Sequence, residues 1–489
     1  MKILYKNENL RNPEVSIILI DWSVRHSFHI LEYLNNQTID RNNYEIIWIE
    51  YYDRKPEKIE KKLNNSIKKG KSVLDKWVIL EMPREVYYHK HLMFNVGIIL
   101  SEGEIICIPD SDAMVKKTFV ETIIKEFKKN QNIVLHIDEI RNENKKFYPF
   151  NYPSFEEVLG EGRVLRWDGK TDIEKLDDPI HLLNYGACMC AKKEDLIKIG
   201  GADEHIDYLG HICGVYEMTF RLRNYGLKEV WLKEEFLYHT WHPGESGSFD
   251  YMGPHDGLNM STTALNVLIT KRILPLQENK SIKIIREKKL LFKTEELLKL
   301  AIPEKEIIQT WTVDVLREKE IEKILFPLDK KIRIFVIFIK TTFKKENLKK
   351  IKEIFEKDCF PFLKKLKSKK SRFLIIKFVK LVLKIFGDIY WNFYYLNKKV
   401  KSNINNISLL FYNHIIPEKN KKFFFTGKDD YTFIYIYLAK KFNINFKNLD
   451  LNQPLNFDGK FVITSYKNKE KFYKKLKKYG INDNDIILP

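Results

Sequence analysis

Three strand-like runs, "VSIILIDWS" (15–23), "YEIIWIEYYD" (44–53) and "KWVILEM" (76–82), the first a continuous β-branched run, are separated by helical or polar segments. A run without the in–out alternation of a half-solvated strand suits a parallel strand covered on both faces. Helical stretches at about 26–36 and 87–101 alternate with these strands, which predicts βαβ units and a mostly parallel sheet of the α/β class. A fourth run, "EIICIPDSDAMV" (104–115), stops abruptly at Asp110 and Asp112. After it, "FVETIIKEFKKN" puts apolar residues at 119, 123, 124 and 127 on one helix face, and "NIVLHID" reads as the next strand. Ligands of open α/β sheets bind beyond the carboxyl ends of the strands. Asp110 and Asp112 therefore stand where a ligand is expected.

Two carboxylates this close repel unless a cation or hydrogen bonds compensate, and hard oxygen ligands suit Mg²⁺ or Mn²⁺ carrying phosphate. Most Asp-x-Asp pairs in proteins are solvated turns or helix caps, so the neighbouring sequence has to decide. Downstream lies "IGGADEHIDYLGHICGVYEMTFRLRNYG" (199–226), in which Glu217 and Arg221 share a helix face and Gly226 fits a helix C-terminal cap. Glu217 is either the acid of an intrahelical ion pair or a group of a substrate pocket. The segment "FLYHTWHPGESGSFDYMGPHDG" (236–257) then sets His239, His242 and Trp241 among glycines, Gly244 first, that let backbone approach phosphate and let a loop move.

"GIILSEGEIICIPDSD" resembles the stretch that ends in Asp-x-Asp in nucleotide-sugar glycosyltransferases of the GT-A fold, especially the large inverting family 2. Asn95, Gly97 and Gly103 fall at that family's Asn-x-Gly and at the glycine before the strand, and "GGADE" through "YEMTFRLRNYG" looks like its acceptor-side block. The resemblance covers about residues 12–275. It implies a GT-A domain with a Rossmann-like, mostly parallel sheet, Mn²⁺ or Mg²⁺ held by Asp110, Asp112 and His239 or His242, and a nucleotide-diphosphate sugar as donor, with a UDP-sugar expected. Glu50, where the family has an Asp pair that reads the base, joins Asp110, Asn95, Trp241 and Gly244 as donor-binding candidates. Arg163 or Arg166 could neutralise phosphate, and Tyr251 could stack like Trp241. The base that activates the acceptor hydroxyl is expected among Glu217, Asp203 and Glu204, because Gly214 and Val215 replace the acidic pair that many members carry there. Inversion at the anomeric carbon is implied, and retention shares nearly all these features. The implied acceptor is a glycan, a lipid-linked glycan or a protein, in synthesis of surface polysaccharide or glycoconjugate.

At 489 residues the chain has room for two to four domains. We expect the GT-A domain at 1–275, a mainly helical basic region at 276–415, and a small Rossmann-like α/β unit at 416–489, whose single Gly427 is too little for a dinucleotide fingerprint. A net charge of +19 suits an anionic surface or phosphorylated substrates. In 371–397, Lys377, Lys380, Lys384 and Asp388 form one helical stripe on an otherwise apolar segment, which fits either an interfacial membrane helix or a buried one. No motif points to nucleic acid. Five cysteines without CxxC spacing, no signal-peptide-like apolar core and no uncharged apolar run of about 18 residues predict reduced thiols and a cytoplasmic protein, with peripheral contact to the inner membrane face. Two rivals stand beside the transferase. One is a degenerate glycan-binding or scaffold protein. The other is a nucleotidyltransferase, against which "IDWSVRHS" lacks a glycine-rich, lysine-bearing phosphate loop.

Overall fold

The computed structural model describes residues 1–9, 12–69, 72–210, 214–243, 253–258, 260–288, 294–311, 402–403, 406–407, 409–427, 431–449 and 459–489. The segment 371–397 with its lysine stripe, and Gly244, Gly247 and Tyr251 of the glycine-rich loop, lie outside these residues. The chain divides into two compact units, Met1–Gly253 with Asn259–Val313, and Pro254–Leu258 with Asp314–Pro489.

In the first unit the strands run β1 (Lys2–Lys6), β2 (Val15–Asp21), β3 (Tyr44–Glu50), β4 (Lys76–Ile79), β5 (Ile105–Pro109), β6 (Ile133–His136), β7 (Glu139–Asn142), β8 (Arg163–Val164), β9 (Cys188–Lys192), β10 (Lys228–Trp231) and β11 (Leu237–Thr240). Eight of them form one sheet in the order β1-β4-β3-β2-β5-β9-β6-β10. Its centre, β4-β3-β2-β5, is parallel throughout, while β1 and β9 pair antiparallel with their neighbours. A three-stranded sheet, β11-β7-β8, stands apart.

The continuous run of β2 has the expected cause. Ile18 and Ile20 of β2 pack into one core with Leu92, Met93 and Val96 of the helix Lys90–Leu100. Val15, Ile17 and Leu19 pack into a second core on the other face, with Ile59, Leu63, Phe119 and Ile123. Each such aliphatic side chain contributes roughly 1.5–3 kcal/mol when fully buried. The glycines of "NVGIILSEGE" serve close approach: a Cβ on Gly97 would lie 2.6 Å from Ile18 Cγ2, and one on Gly103 would lie 2.8 Å from the backbone nitrogen of Ser16. Gly226, at φ +112°, ends the helix Tyr216–Tyr225 in the left-handed conformation expected of a C-cap.

The first unit runs past residue 275, the boundary expected from composition. Helices Lys280–Lys288 and Thr294–Ala301 bury Ile282, Leu297, Leu298 and Ala301, and Trp311 follows them, all in the core that covers Lys90–Leu100. Their Lys- and Glu-rich composition marks only their exposed faces. In the second unit four parallel strands, β12 (Phe423–Thr426), β13 (Phe446–Leu449), β14 (Lys460–Ile463) and β15 (Ile486–Ile487), line up as β13-β12-β14-β15 around Phe423, Phe425, Tyr435, Leu438 and Val462. Cys107, Cys188 and Cys190 are buried free thiols on β5 and β9. Among the described residues no helix is long and apolar enough to cross a membrane.

Candidate active site

β5 delivers "DSD" to the sheet edge, and three ties fix it there. The Asp110 N–H donates to the Ala187 carbonyl at 2.8 Å, the Ile20 N–H donates to Ser111 Oγ at 2.9 Å, and Met114 and Tyr238 exchange backbone hydrogen bonds that bring β11 alongside. His239 lies within β11, opposite Arg141 of β7, and His242 follows it in the next turn.

Asp112 is the hub. Its Oδ1 lies 3.5 Å from His239 Nε2, and its Oδ2 lies 3.1 Å from His242 Nε2 and also accepts from the Arg25 guanidinium. His29 Nε2 reaches the Asp112 main-chain oxygen at 2.9 Å. Burial opposes ionisation of Asp112, yet Arg25 and His239 hold its carboxyl well below the usual range. The hydrogen bond to Asp112 raises His242, whereas burial pushes His29 down to about 4, so His29 is a neutral ring that fixes backbone. Asp110 differs from its partner, because burial, then Glu139 and Asp112, push it up to about 6.

Arg25 is aimed from the end of β2. Asp21 Oδ1 accepts the N–H groups of Val24 at 3.0 Å and Arg25 at 3.3 Å, and Arg54 pairs with Asp21 at 3.4 Å. On the neighbouring strand Glu50 accepts from Trp48 Nε1 at 2.9 Å and is pushed up to about 9 by burial and by Asp21. A cavity of about 290 Å³ opens in front of this edge. Arg25 and Lys58 give it positive charge, His26 and His242 add imidazoles, Tyr148 and Trp241 give it aromatic walls, and Asp112 supplies the one carboxylate among its described lining residues.

Of the sequence candidates, Asp110, Asp112, His239, His242 and Trp241 meet at this edge. Asn95, Asp203, Glu204 and Glu217 do not line the cavity, and all four are buried. The expectation that the acceptor base is one of Glu217, Asp203 and Glu204 is corrected by their contacts. Glu217 is bound to Arg221, and that guanidinium also donates to the carbonyls of Ile199 and Gly201. Asp203 accepts the N–H groups of Leu276 at 2.7 Å and Gln277 at 2.9 Å. Glu204 accepts from Asn95 at 2.9 Å and Asn279 at 2.6 Å, and Asn95 also clasps Ala202. The "GGADE" block thus latches the segment after 271 to the core, and Asn95 belongs to that latch rather than to a donor pocket. Arg163 is exposed on β8.

The latch has a pH signature. Burial, opposed by the Asn95 and Asn279 amides, pushes Glu204 from 4.5 up to about 7. The native state then holds this proton more tightly than the unfolded chain, so the associated stability is full below about pH 4.5 and is lost as pH rises through about 7. Glu204→Gln keeps an oxygen for both amides, and it is expected to raise stability at pH 8 by roughly 1–3 kcal/mol while changing it little at pH 4.5. Thermal melts at the two pH values check this; an equal shift at both would count against it.

Sequence reasoning missed Arg25, His29, Lys58, Glu139 and Arg141. "IDWSVRHS" has neither the glycines nor the lysine of a phosphate loop, yet its Arg25 reaches Asp112 across 87 positions. Glu139 stands one residue beyond "NIVLHID". Arg141 and His239 hold its carboxyl low against the effect of burial.

Asp112, His239 and His242 offer ligand atoms that all lie within 4.8 Å of one another, a donor set of one carboxylate oxygen and two imidazoles that fits a divalent cation. No protein-family model matches the chain, and no curated protein matches it. Among solved structures it is similar to S. aureus TarS 1-349 in complex with UDP-GlcNAc, at 15% identity and a TM-score of 0.38, over 61% of this chain and 84% of that one. It is similar to the mannosyltransferase PcManGT from Pyrobaculum calidifontis in complex with GDP-Man and Mn2+, at 13% identity and a TM-score of 0.34, over 69% and 83%. It is also similar to GalNAc-T7 with UDP, GalNAc and Mn2+, at 14% identity and a TM-score of 0.36, over 60% and 57%.

Proposed function

We propose that this chain is a metal-dependent glycosyltransferase that moves a sugar from a nucleotide-diphosphate donor, a UDP-sugar by expectation, to a hydroxyl of a glycan, lipid-linked or protein acceptor, with inversion. The observation that carries the reading is the meeting of Asp112, His239 and His242 beside a cationic, aromatic cavity at the carboxyl edge of a mostly parallel sheet. A divalent cation at these three side chains would neutralise the departing diphosphate as a Lewis acid. Two imidazoles beside a single carboxylate favour Mn²⁺ over Mg²⁺, which prefers oxygen ligands.

The chain's own groups do the rest. Arg25 and Lys58 give phosphate oxygens cationic partners. Trp241 and Tyr148, whose rings meet edge to face at 5.8 Å, offer a wall for the base or a sugar. Lys145 Nζ sits 5.0 Å over the Trp241 ring and helps hold it. His29 keeps the Asp112 backbone in place without adding charge.

A second reading, a glycan- or nucleotide-sugar-binding protein without turnover, is favoured by one observation: the three acids expected to supply the base lie in the latch, away from the cavity. One experiment tests both readings. The full chain is incubated with a panel of nucleotide sugars, with Mn²⁺ and with a chelator, and both binding and release of nucleoside diphosphate are followed. Mn²⁺-dependent release supports the transferase, and binding without release supports the second reading. Absence of binding across the panel, or release of pyrophosphate, would overturn the transferase reading.

A further inference from the structure

Asp112 Oδ2 is shared between a guanidinium and an imidazole. It accepts from Arg25 and faces His242, and a guanidinium on the same oxygen repels any divalent ion that His239 and His242 would help to hold. Arg25 is partly buried, and its buried Nε has no hydrogen-bond partner among the described residues. Its guanidinium lies 5.5 Å from the Trp22 ring centroid, and the same side chain lines the cavity. The backbone beneath it is pinned by Asp21, so the side chain can change partner while the loop stays fixed.

We propose that Arg25 is an exchangeable counter-ion: it holds Asp112 until a divalent cation takes the carboxylate, and it then turns its freed guanidinium to the diphosphate of a nucleotide in the cavity. The proposal rests on the transferase reading for the nature of the anion. It makes cation and nucleotide binding mutually reinforcing, since the cation releases the group that the nucleotide needs, and the coupling is reciprocal. A merely structural Arg25 would couple nothing.

The test uses the full chain, with Mn²⁺ binding read from the electron paramagnetic resonance of the free ion and UDP binding read by calorimetry with and without Mn²⁺. Arg25→Gln is expected to bind Mn²⁺ about 10-fold more tightly, because a competing positive charge is gone. It should bind UDP about 10- to 100-fold more weakly, having lost a charge-assisted donor, and the gain in UDP affinity caused by Mn²⁺ should shrink. Arg25→Lys keeps the charge but not the planar fork. It should retain wild-type Mn²⁺ affinity while losing UDP affinity, and it carries the test if Arg25→Gln does not fold by circular dichroism. Unchanged or weaker Mn²⁺ binding in folded Arg25→Gln, or unchanged UDP binding in Arg25→Lys, would overturn the exchange. A wild-type chain that binds no Mn²⁺ would instead overturn the cation site itself, and the exchange with it.

Discussion

Asp112→Asn is expected to lower Mn²⁺-dependent nucleotide release by roughly three orders of magnitude, the scale on which loss of electrostatic stabilisation at a reacting phosphate acts. The substitution is nearly isosteric but removes the negative charge on which Arg25, His239 and His242 converge. Mn²⁺ affinity should fall with the rate, and the raised His242 should return toward the ordinary histidine value, since its upward shift rests first on the hydrogen bond to Asp112. Folding should survive, because the asparagine oxygen can still accept from Arg25; a cost of about 1–3 kcal/mol is expected from weakening that part-buried bond. Release assays, Mn²⁺ titration and a thermal melt on the same preparation check the three parts. An Asp112→Asn chain that turns over within about tenfold of wild type would remove this residue from the mechanism.

Glu217→Gln is expected to act on stability instead. Glu217 and Arg221 are both fully buried, and neutralising the acid removes the guanidinium's hydrogen-bonded counter-charge and leaves it only Asp203, at a cost of about 3–5 kcal/mol. The melting temperature should fall by on the order of 5–15 °C. Whatever rate remains should be near wild type when it is measured well below the new melting point. A catalytic base would behave in the opposite way, with an unchanged melt and a collapsed rate, so the two roles separate in one pair of measurements. Replacing the pair together with Leu and Met should not restore full stability, because Arg221 also satisfies the carbonyls of Ile199 and Gly201.

These two acids show which parts of the site are legible in a sequence. Asp112 could be found because a strand that ends in charge is a local pattern with few physical solutions, and His239 and His242 because histidines among glycines at a later strand end have few others. Glu217 was read correctly as one face of a helix with Arg221. Whether that face meets a cavity or the core depends on what packs against it, and residues 199–203 and 271–279 do so from a distance. Asn95 carries the same lesson, since an amide at a recognisable position turned out to clasp Ala202 and Glu204. Composition misplaced the end of the first unit for a related reason. Lysine and glutamate mark the exposed side of a helix and are silent about Ile282, Leu297 and Leu298 on the other side.

By itself the sequence determined the alternation of buried strands and helices, the strand that carries Asp110 and Asp112 to the sheet edge, and the chemical types gathered after β11. Each follows from periodicity and side-chain chemistry within about a dozen residues. Only the tertiary structure decided that Arg25 shares Asp112 with the histidines, that Lys58, Tyr148 and Trp241 wall one cavity, and that the "GGADE" acids hold the fold together. Those pairings join residues tens of positions apart, and a carboxylate's role depends on the charges and the burial that distant segments bring to it.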